Sequence, residues 1–124
     1  MIEIILPGEP RTKKNSGQII FAGGRPMLIP SEQYREYSQT CVWRIPGWQK
    51  CRINYPVNMR CVYYMATRRK VDLVNLIEAT CDILVDAGVL ADDDSKIVVS
   101  HDGSRVLIDR DHPRAEITIT EITQ

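Results

Sequence analysis

One predicted helix carries its acidic residues on a single face. Over residues 72–86, a rotation of about 100° per residue places four acids and one amide on a stripe roughly 120° wide. These residues are Asp72, Asn75, Glu78, Asp82 and Asp86, and no Lys or Arg interrupts them. Like charges one helical turn apart repel by a few tenths of a kcal/mol per pair, so the stripe lowers stability unless a cation lies against it.

A second acidic group and a basic triplet flank this helix. Asp92–Asp94 follow the turn after Gly88, and a turn of this length can fold them back beside the helix. Arg68–Lys70 precede Asp72 and place phosphate-binding charge next to the carboxylates. Hard cations such as Mg²⁺ bind oxygen ligands, and a pair of them can hold the attacking and leaving oxygens in phosphodiester hydrolysis. Taken together, the groups favour a magnesium site, although Asp72 alone is also typical of a helix cap and Asp92–Asp94 of a solvated turn.

The charges are divided between the two halves of the chain. Residues 1–70 contain twelve Lys/Arg and four acids, whereas residues 71–124 contain four Lys/Arg and twelve acids, which gives +8 and −8. A basic surface attracts phosphates, while clustered carboxylates repel them unless metal ions intervene. The alternative interpretation is that the two halves attract each other within one domain.

Length and composition restrict the class of protein. The 124 residues suit one domain spanning 1–124, and no stretch approaches the roughly 20 apolar residues that cross a bilayer. The first residues lack a basic segment and a cleavage site, so we interpret them as a strand and not as a leader. The four cysteines form no C-x-x-C pair, which favours free thiols in a reducing cytosol over a zinc site.

The elements that must position the acids follow from periodicity and turn residues. Strands are predicted at 1–6, 57–67, 97–100, 106–109 and 116–122, and a hairpin at 18–21 and 27–29. A first helix begins after Ser31 as N-cap and ends at Pro46-Gly47, and the central helix covers 72–86. The order predicts an α+β domain with a mixed sheet and two main helices. We interpret four aromatic residues as packing in the core or in a dimer interface, with stacking on nucleic-acid bases as the alternative: Trp43, Trp48, Tyr63 and Tyr64.

The segment from Arg68 onwards resembles the RusA family of Holliday-junction resolvases. The family pattern is a basic strand end, D-x-D-N-L-x-K, a helix with D-x-L, then A/G-G-V and a D-D turn. The matching residues are Arg68, Arg69, Asp72, Asn75, Leu76, Asp82, Leu84, Ala87, Gly88, Val89, Asp92 and Asp93. The order of elements agrees along nearly the whole chain. The resemblance implies metal-dependent cleavage of branched DNA by a homodimer, and a phage or prophage as the source of the gene.

Two positions depart from the family pattern. The second aspartate of the motif is Val74 here, and the lysine is Glu78. Because Glu78 lies one turn after Val74, its longer side chain can restore the missing carboxylate. We therefore expect Asp72, Glu78 and Asp93 to be catalytic metal ligands, with Asp92 as a further ligand and Asn75 and Asp82 in support. The opposite hypothesis is that Val74 marks a protein that binds junctions without cutting them.

Six basic residues are candidates for contacts with the DNA backbone, which position DNA without identifying bases. They are Arg11, Lys13, Lys14, Arg68, Arg69 and Lys70. The expected partners are a four-way junction and a second copy of the chain, because two opposed cuts suit two symmetry-related sites. A third hypothesis is an interaction protein whose acidic half binds a basic partner.

Overall fold

The strands and helices follow the predicted order. The computed structural model describes residues 1–13, 18–29 and 31–123. The elements in these residues are β1 (Ile2–Pro7), β2 (Gln18–Ala22), β3 (Arg25–Ile29), α1 (Glu32–Arg44), β4 (Val57–Met65), α2 (Leu73–Asp86), β5 (Val98–Ser100), β6 (Arg105–Ile108) and β7 (Arg114–Glu121). One 3-10 turn, Gly47–Gln49, follows α1. An α+β domain with a mixed sheet and two helices is therefore confirmed.

The main sheet is built around β4. Antiparallel pairing joins β4 to β7 and β7 to β1, whereas β5 and β6 both run parallel to β4. The alternating residues of β4 explain this central place, since Val57, Met59, Cys61, Tyr63 and Met65 all point into the core and are buried. The helix α2 connects β4 to the parallel strand β5, which is the crossover that parallel pairing requires.

Both helices contribute side chains to the hydrophobic core. Ser31 caps α1, because its hydroxyl accepts a hydrogen bond from the Tyr34 N–H at 3.1 Å. The apolar face of α2 buries Leu76, Ile83 and Leu84 in the cluster that contains the inward residues of β4. This docking fixes the rotation of α2, so that its acidic stripe is directed away from the sheet.

A buried polar contact joins α2 to β4. The Tyr63 hydroxyl lies 2.7 Å from the Thr80 Oγ1, and Thr80 donates to the Leu76 carbonyl at 2.9 Å. Because Thr80 has one hydroxyl hydrogen, Tyr63 is the donor of the first bond. This bond satisfies both buried hydroxyls and holds the middle of α2 at one level along β4.

The strands β2 and β3 form a two-stranded sheet of their own. Their turn consists of Gly23 and Gly24, which have φ angles of 59° and 77°. Positive φ at both positions matches the right-handed twist of the flanking strands and favours glycine. The predicted hairpin is therefore present, with one more residue in β2 and two more in β3 than expected.

The predicted strands on either side of the turn at 101–104 do not pair with each other, because each adds to a different part of β4. Among the described residues, no helix is both long enough and apolar enough to cross a membrane.

Replacing Tyr63 with Phe tests the contact between α2 and β4. The substitution removes the donor to Thr80 in the core, and we expect the free energy of unfolding to fall by about 1 to 2 kcal/mol in urea titrations. Tyr64→Phe is the matched control, since the Tyr64 ring lies on the opposite side of β4 under the Arg114 guanidinium. Equal losses in the two variants would contradict a specific role for the Tyr63 hydroxyl.

Candidate metal and DNA site

The first acid of the stripe is the N-cap of α2. The Asp72 carboxylate accepts a hydrogen bond from the Val74 N–H at 2.9 Å, and the Asp72 carbonyl accepts one from the Leu76 N–H at 3.1 Å. The side chain is exposed, and the basic residues Arg68–Lys70 precede it. Asp72 therefore begins the helix and at the same time presents a carboxylate oxygen next to positive charge.

The acidic turn is held by its own backbone. Asp92 accepts from the Asp93 N–H at 2.7 Å, and the Asp94 carboxylate accepts from the Lys96 N–H at 2.9 Å. The Asp94 carbonyl also accepts from the N–H groups of Ile97 and Val98, at 3.0 and 2.9 Å. These bonds give Asp92 and Asp93 a defined position after α2.

The environment of Asp93 disfavours the charged form of its carboxyl. Partial burial raises the pKa of the Asp93 carboxyl above its usual range, and the negative charges of Asp82 and Asp92 raise it further. The turn therefore places Asp93 near the second half of the acidic stripe. A cation at this position would offset the negative charges of Asp82 and Asp92 that contribute to the raised pKa.

Asp72 and Asp82 lie at different levels of the helix. Ten residues at a rise of 1.5 Å separate them by about 15 Å along the axis, whereas ligands to one ion lie within a few ångströms of each other. In the described part of the chain, no group of three or more Asp, Glu, His or Cys side chains is arranged to hold a metal ion. The expected ligands Asp72, Glu78 and Asp93 are therefore not preassembled within one chain.

Lys13 contacts the acidic stripe, which the sequence analysis did not foresee. Its Nζ lies 2.6 Å from the Asp82 Oδ2, with the two side chains 40% and 35% exposed. The same Nζ lies 5.9 Å from the centre of the Tyr34 ring on α1. Lys13 thus neutralises Asp82 from the loop after β1, although solvent screening limits such a pair to about 1 kcal/mol or less. Lys14, the next expected contact of this loop, lies outside the described residues.

Three of the candidate phosphate-binding residues meet in one cleft. Arg11, Arg69 and Lys70 line a space of about 410 Å³ between the loop after β1 and the linker before α2. A side-chain contact holds these two segments together, because the Glu9 Oε2 accepts a hydrogen bond from the Ala66 N–H at 2.7 Å. Arg68 is exposed on the same linker but does not line the cleft. The cleft can hold an anion about the size of a phosphate.

The cysteines do not add to this site. Cys41, Cys61 and Cys81 are buried, while Cys51 is exposed, and all four are free thiols. Burial raises the pKa of Cys41 to about 11 and the pKa of Cys61 and Cys81 to about 12. The thiolate, which binds metals and attacks as a nucleophile, is therefore disfavoured at the buried positions.

The four aromatic residues divide into packed and exposed side chains. Tyr63 is buried, as expected, and the Tyr64 ring packs 3.9 Å from the Arg114 guanidinium. Trp43 and Trp48 are 88% and 79% exposed in the single chain, which excludes the core, whereas the dimer interface stays a prediction for both. Trp43 lies in the last turn of α1, and Trp48 lies in the 3-10 turn that follows it.

Asp82→Asn tests the coupling between α2 and the acidic turn. We expect the pKa of Asp93 to fall towards its usual value, because one of the charges that opposes its ionisation is removed. Carboxyl-carbon chemical shifts followed through a pH titration measure this change. Asp86→Asn, one turn further along α2, removes the same charge and is the control. If the pKa of Asp93 is unchanged in Asp82→Asn, or shifts equally in both variants, Asp93 does not lie beside Asp82.

Comparison with known proteins identifies the family. A family model described as endodeoxyribonuclease RusA matches residues 7–120. No curated protein matches the sequence significantly. The match extends from the end of β1 through the basic cleft, both helices and the acidic turn to β7. Since it covers well over half of the 124 residues, the chain belongs to the RusA endodeoxyribonuclease family.

Proposed function

We propose that this protein is a magnesium-dependent endonuclease that resolves four-way DNA junctions as a homodimer. The proposal includes a role in recombination and repair, and a phage or prophage as the source of the gene. Membership of the RusA family supports a nuclease that acts on branched DNA. The more specific statements rest on the arguments that follow.

One observation carries the proposal: positive charge and carboxylate charge adjoin at the start of α2. Arg69 and Lys70 line the cleft with Arg11, and Asp72 follows Lys70 after a single intervening residue. A DNA strand whose phosphate occupies the cleft therefore passes beside a carboxylate, which it would avoid without a cation between them. Arg11, Arg69 and Lys70 orient the strand and offset its charge, while Arg68 is available to a neighbouring phosphate.

The donor chemistry fits a hard divalent cation. Each proposed ligand, Asp72, Glu78, Asp92 and Asp93, offers carboxylate oxygens, and Asn75 and Asp82 support them. Mg²⁺ in proteins is often held by only one or two carboxylates together with water and substrate phosphates, so a preformed group of three is not required. When bound, the cation would supply the positive charge that stabilises phosphodiester hydrolysis. The carboxylates of this chain would orient it towards the strand in the cleft.

Two active sites suit the proposed substrate. Resolution of a four-way junction requires cuts in two opposed strands, and a two-fold symmetric dimer presents two equivalent sites. The proposed ligands are also not preassembled into a group of three within the described residues. A substrate phosphate or a group from the second copy can complete each site.

Cleavage of a synthetic four-way junction tests the proposal. We expect Mg²⁺-dependent nicking that EDTA abolishes, and we expect Asp93→Asn and Glu78→Gln to slow it by roughly 100-fold, the scale on which loss of one charge-stabilising group slows catalysis. Asp72→Asn is the sharpest variant, because Asn retains the N-cap while removing the charge. Asp86→Asn is the control for a simple loss of acidic charge from α2. Wild-type rates in Glu78→Gln would remove Glu78 from the site, and wild-type rates in all three variants would contradict the proposed metal ligands.

A second candidate function is recognition of branched DNA without cleavage. Val74, which replaces a family aspartate, is 69% exposed in the first turn of α2. An exposed valine at that position supplies no ligand and needs no packing, so it is consistent with a lost catalytic site. Binding to the junction without Mg²⁺-dependent nicking would support this candidate. Absence of any salt-sensitive DNA binding would instead favour an interaction protein with a basic partner.

A further inference from the structure

The β2–β3 hairpin presents an apolar face without a partner in the described chain. Ile19 pairs with Leu28 and Phe21 pairs with Pro26, so these four side chains share one face. Ile19, Phe21 and Leu28 are 68%, 77% and 76% exposed. The hairpin forms a sheet separate from the five-stranded sheet, and we call it the arm. An isolated two-stranded hairpin is marginally stable in water, so such a face favours an additional contact.

The charge of the surrounding segment is entirely basic. Between Pro10 and Ser31 the sequence contains four Lys/Arg and no acid. These bases are Arg11, Lys13, Lys14 and Arg25, and Arg25 is exposed beside the Gly23-Gly24 turn at the tip of the arm. The arm therefore combines an uncharged apolar face with Arg25 at its tip, and the sequence that precedes the arm adds only basic charge.

We propose that the arm enters the branch point of a DNA junction and packs its apolar face against bases exposed there. The inference rests on the proposed function, since it assumes that branched DNA is the substrate. Apolar side chains that insert between base steps unstack them, and aromatic side chains stack on bases of any sequence. A two-stranded ribbon is also narrow enough to enter the major groove. Phe21, Leu28 and Ile19 contact the bases, and Arg25 contacts a phosphate.

Charge favours DNA over a second copy of the chain as the occupant. In a two-fold contact between arms, each patch faces the same patch, so both basic segments would be brought together. Lys13 is already paired with Asp82, but the segment itself contains no acid that could offset repulsion among the other bases, Arg11, Lys14 and Arg25. Phosphates next to the bases at a branch point offset the same charges. The base pairs of an intact duplex remain stacked, so the apolar face distinguishes a junction from a duplex.

The test measures binding of Phe21→Ser and Leu28→Ser to two DNA molecules in EDTA, where cleavage cannot interfere. One is a four-way junction with 2-aminopurine at the branch point, and the other is a duplex with the sequence of one arm. We expect each variant to bind the junction about tenfold more weakly, while its affinity for the duplex changes less than about twofold. The rise in 2-aminopurine fluorescence that wild-type protein causes should also be reduced. Ile5→Ser, a substitution of a 62% exposed residue outside the arm, is the control.

Three results would overturn the inference. The first is wild-type junction affinity and fluorescence in both variants, and the second is an equal loss of affinity for junction and duplex. The third is a molar mass of the DNA-free variants that differs from that of the wild-type protein in light scattering, which would assign the arm to self-association. Failure of the proposed function has a different signature. In that case the wild-type protein itself shows no preference for the junction, whereas failure of the arm alone leaves that preference intact in the variants.

Discussion

Repulsion among carboxylates along α2 is the constraint around which this domain is organised. The helix forms in spite of it because Leu76, Ile83 and Leu84 bury an apolar face against β4. The buried bond between Tyr63 and Thr80 then fixes the helix, so the charges cannot separate by rotation. Lys13 offsets part of the repulsion at Asp82, while the pKa of Asp93 is raised first by partial burial and then by the negative charges of Asp82 and Asp92.

The basic and acidic parts of the surface lie close to each other. Glu9 accepts from the backbone of Ala66 and thereby draws the basic loop after β1 towards the linker that starts α2. The basic residues of the cleft and the carboxylate of Asp72 consequently lie on neighbouring segments. This arrangement follows from the connection of β4 to α2, because the linker that carries Arg69 and Lys70 ends at the N-cap Asp72. Family membership and local geometry therefore point to the same class of chemistry.

Local features of the fold could be predicted from the sequence, whereas long-range contacts could not. The hydroxyl of Ser31, the paired glycines of the hairpin and the periodicity of α2 act through neighbours a few residues away, and each was predicted correctly. The pairing of Lys13 with Asp82 joins a loop to a helix, and no local pattern encodes it. The acidic stripe is a second example, because the angular position of a residue around a helix does not give its position along the helix axis. Asp72 and Asp82 share a face and still lie about 15 Å apart. The exposure of Trp43 and Trp48 similarly depends on what surrounds α1, not on residue type.

The most direct test of the account is the position of a divalent cation in a crystal of the protein with Mn²⁺ and an uncleavable junction. Anomalous scattering locates Mn²⁺ independently of the model for the protein. The account predicts a peak within about 2.3 Å of carboxylate oxygens that include Asp93 and at least one acid of α2, next to a DNA phosphate. A DNA-bound structure in which those carboxylates contact no ion, with the phosphate backbone distant from both the cleft and α2, would contradict it.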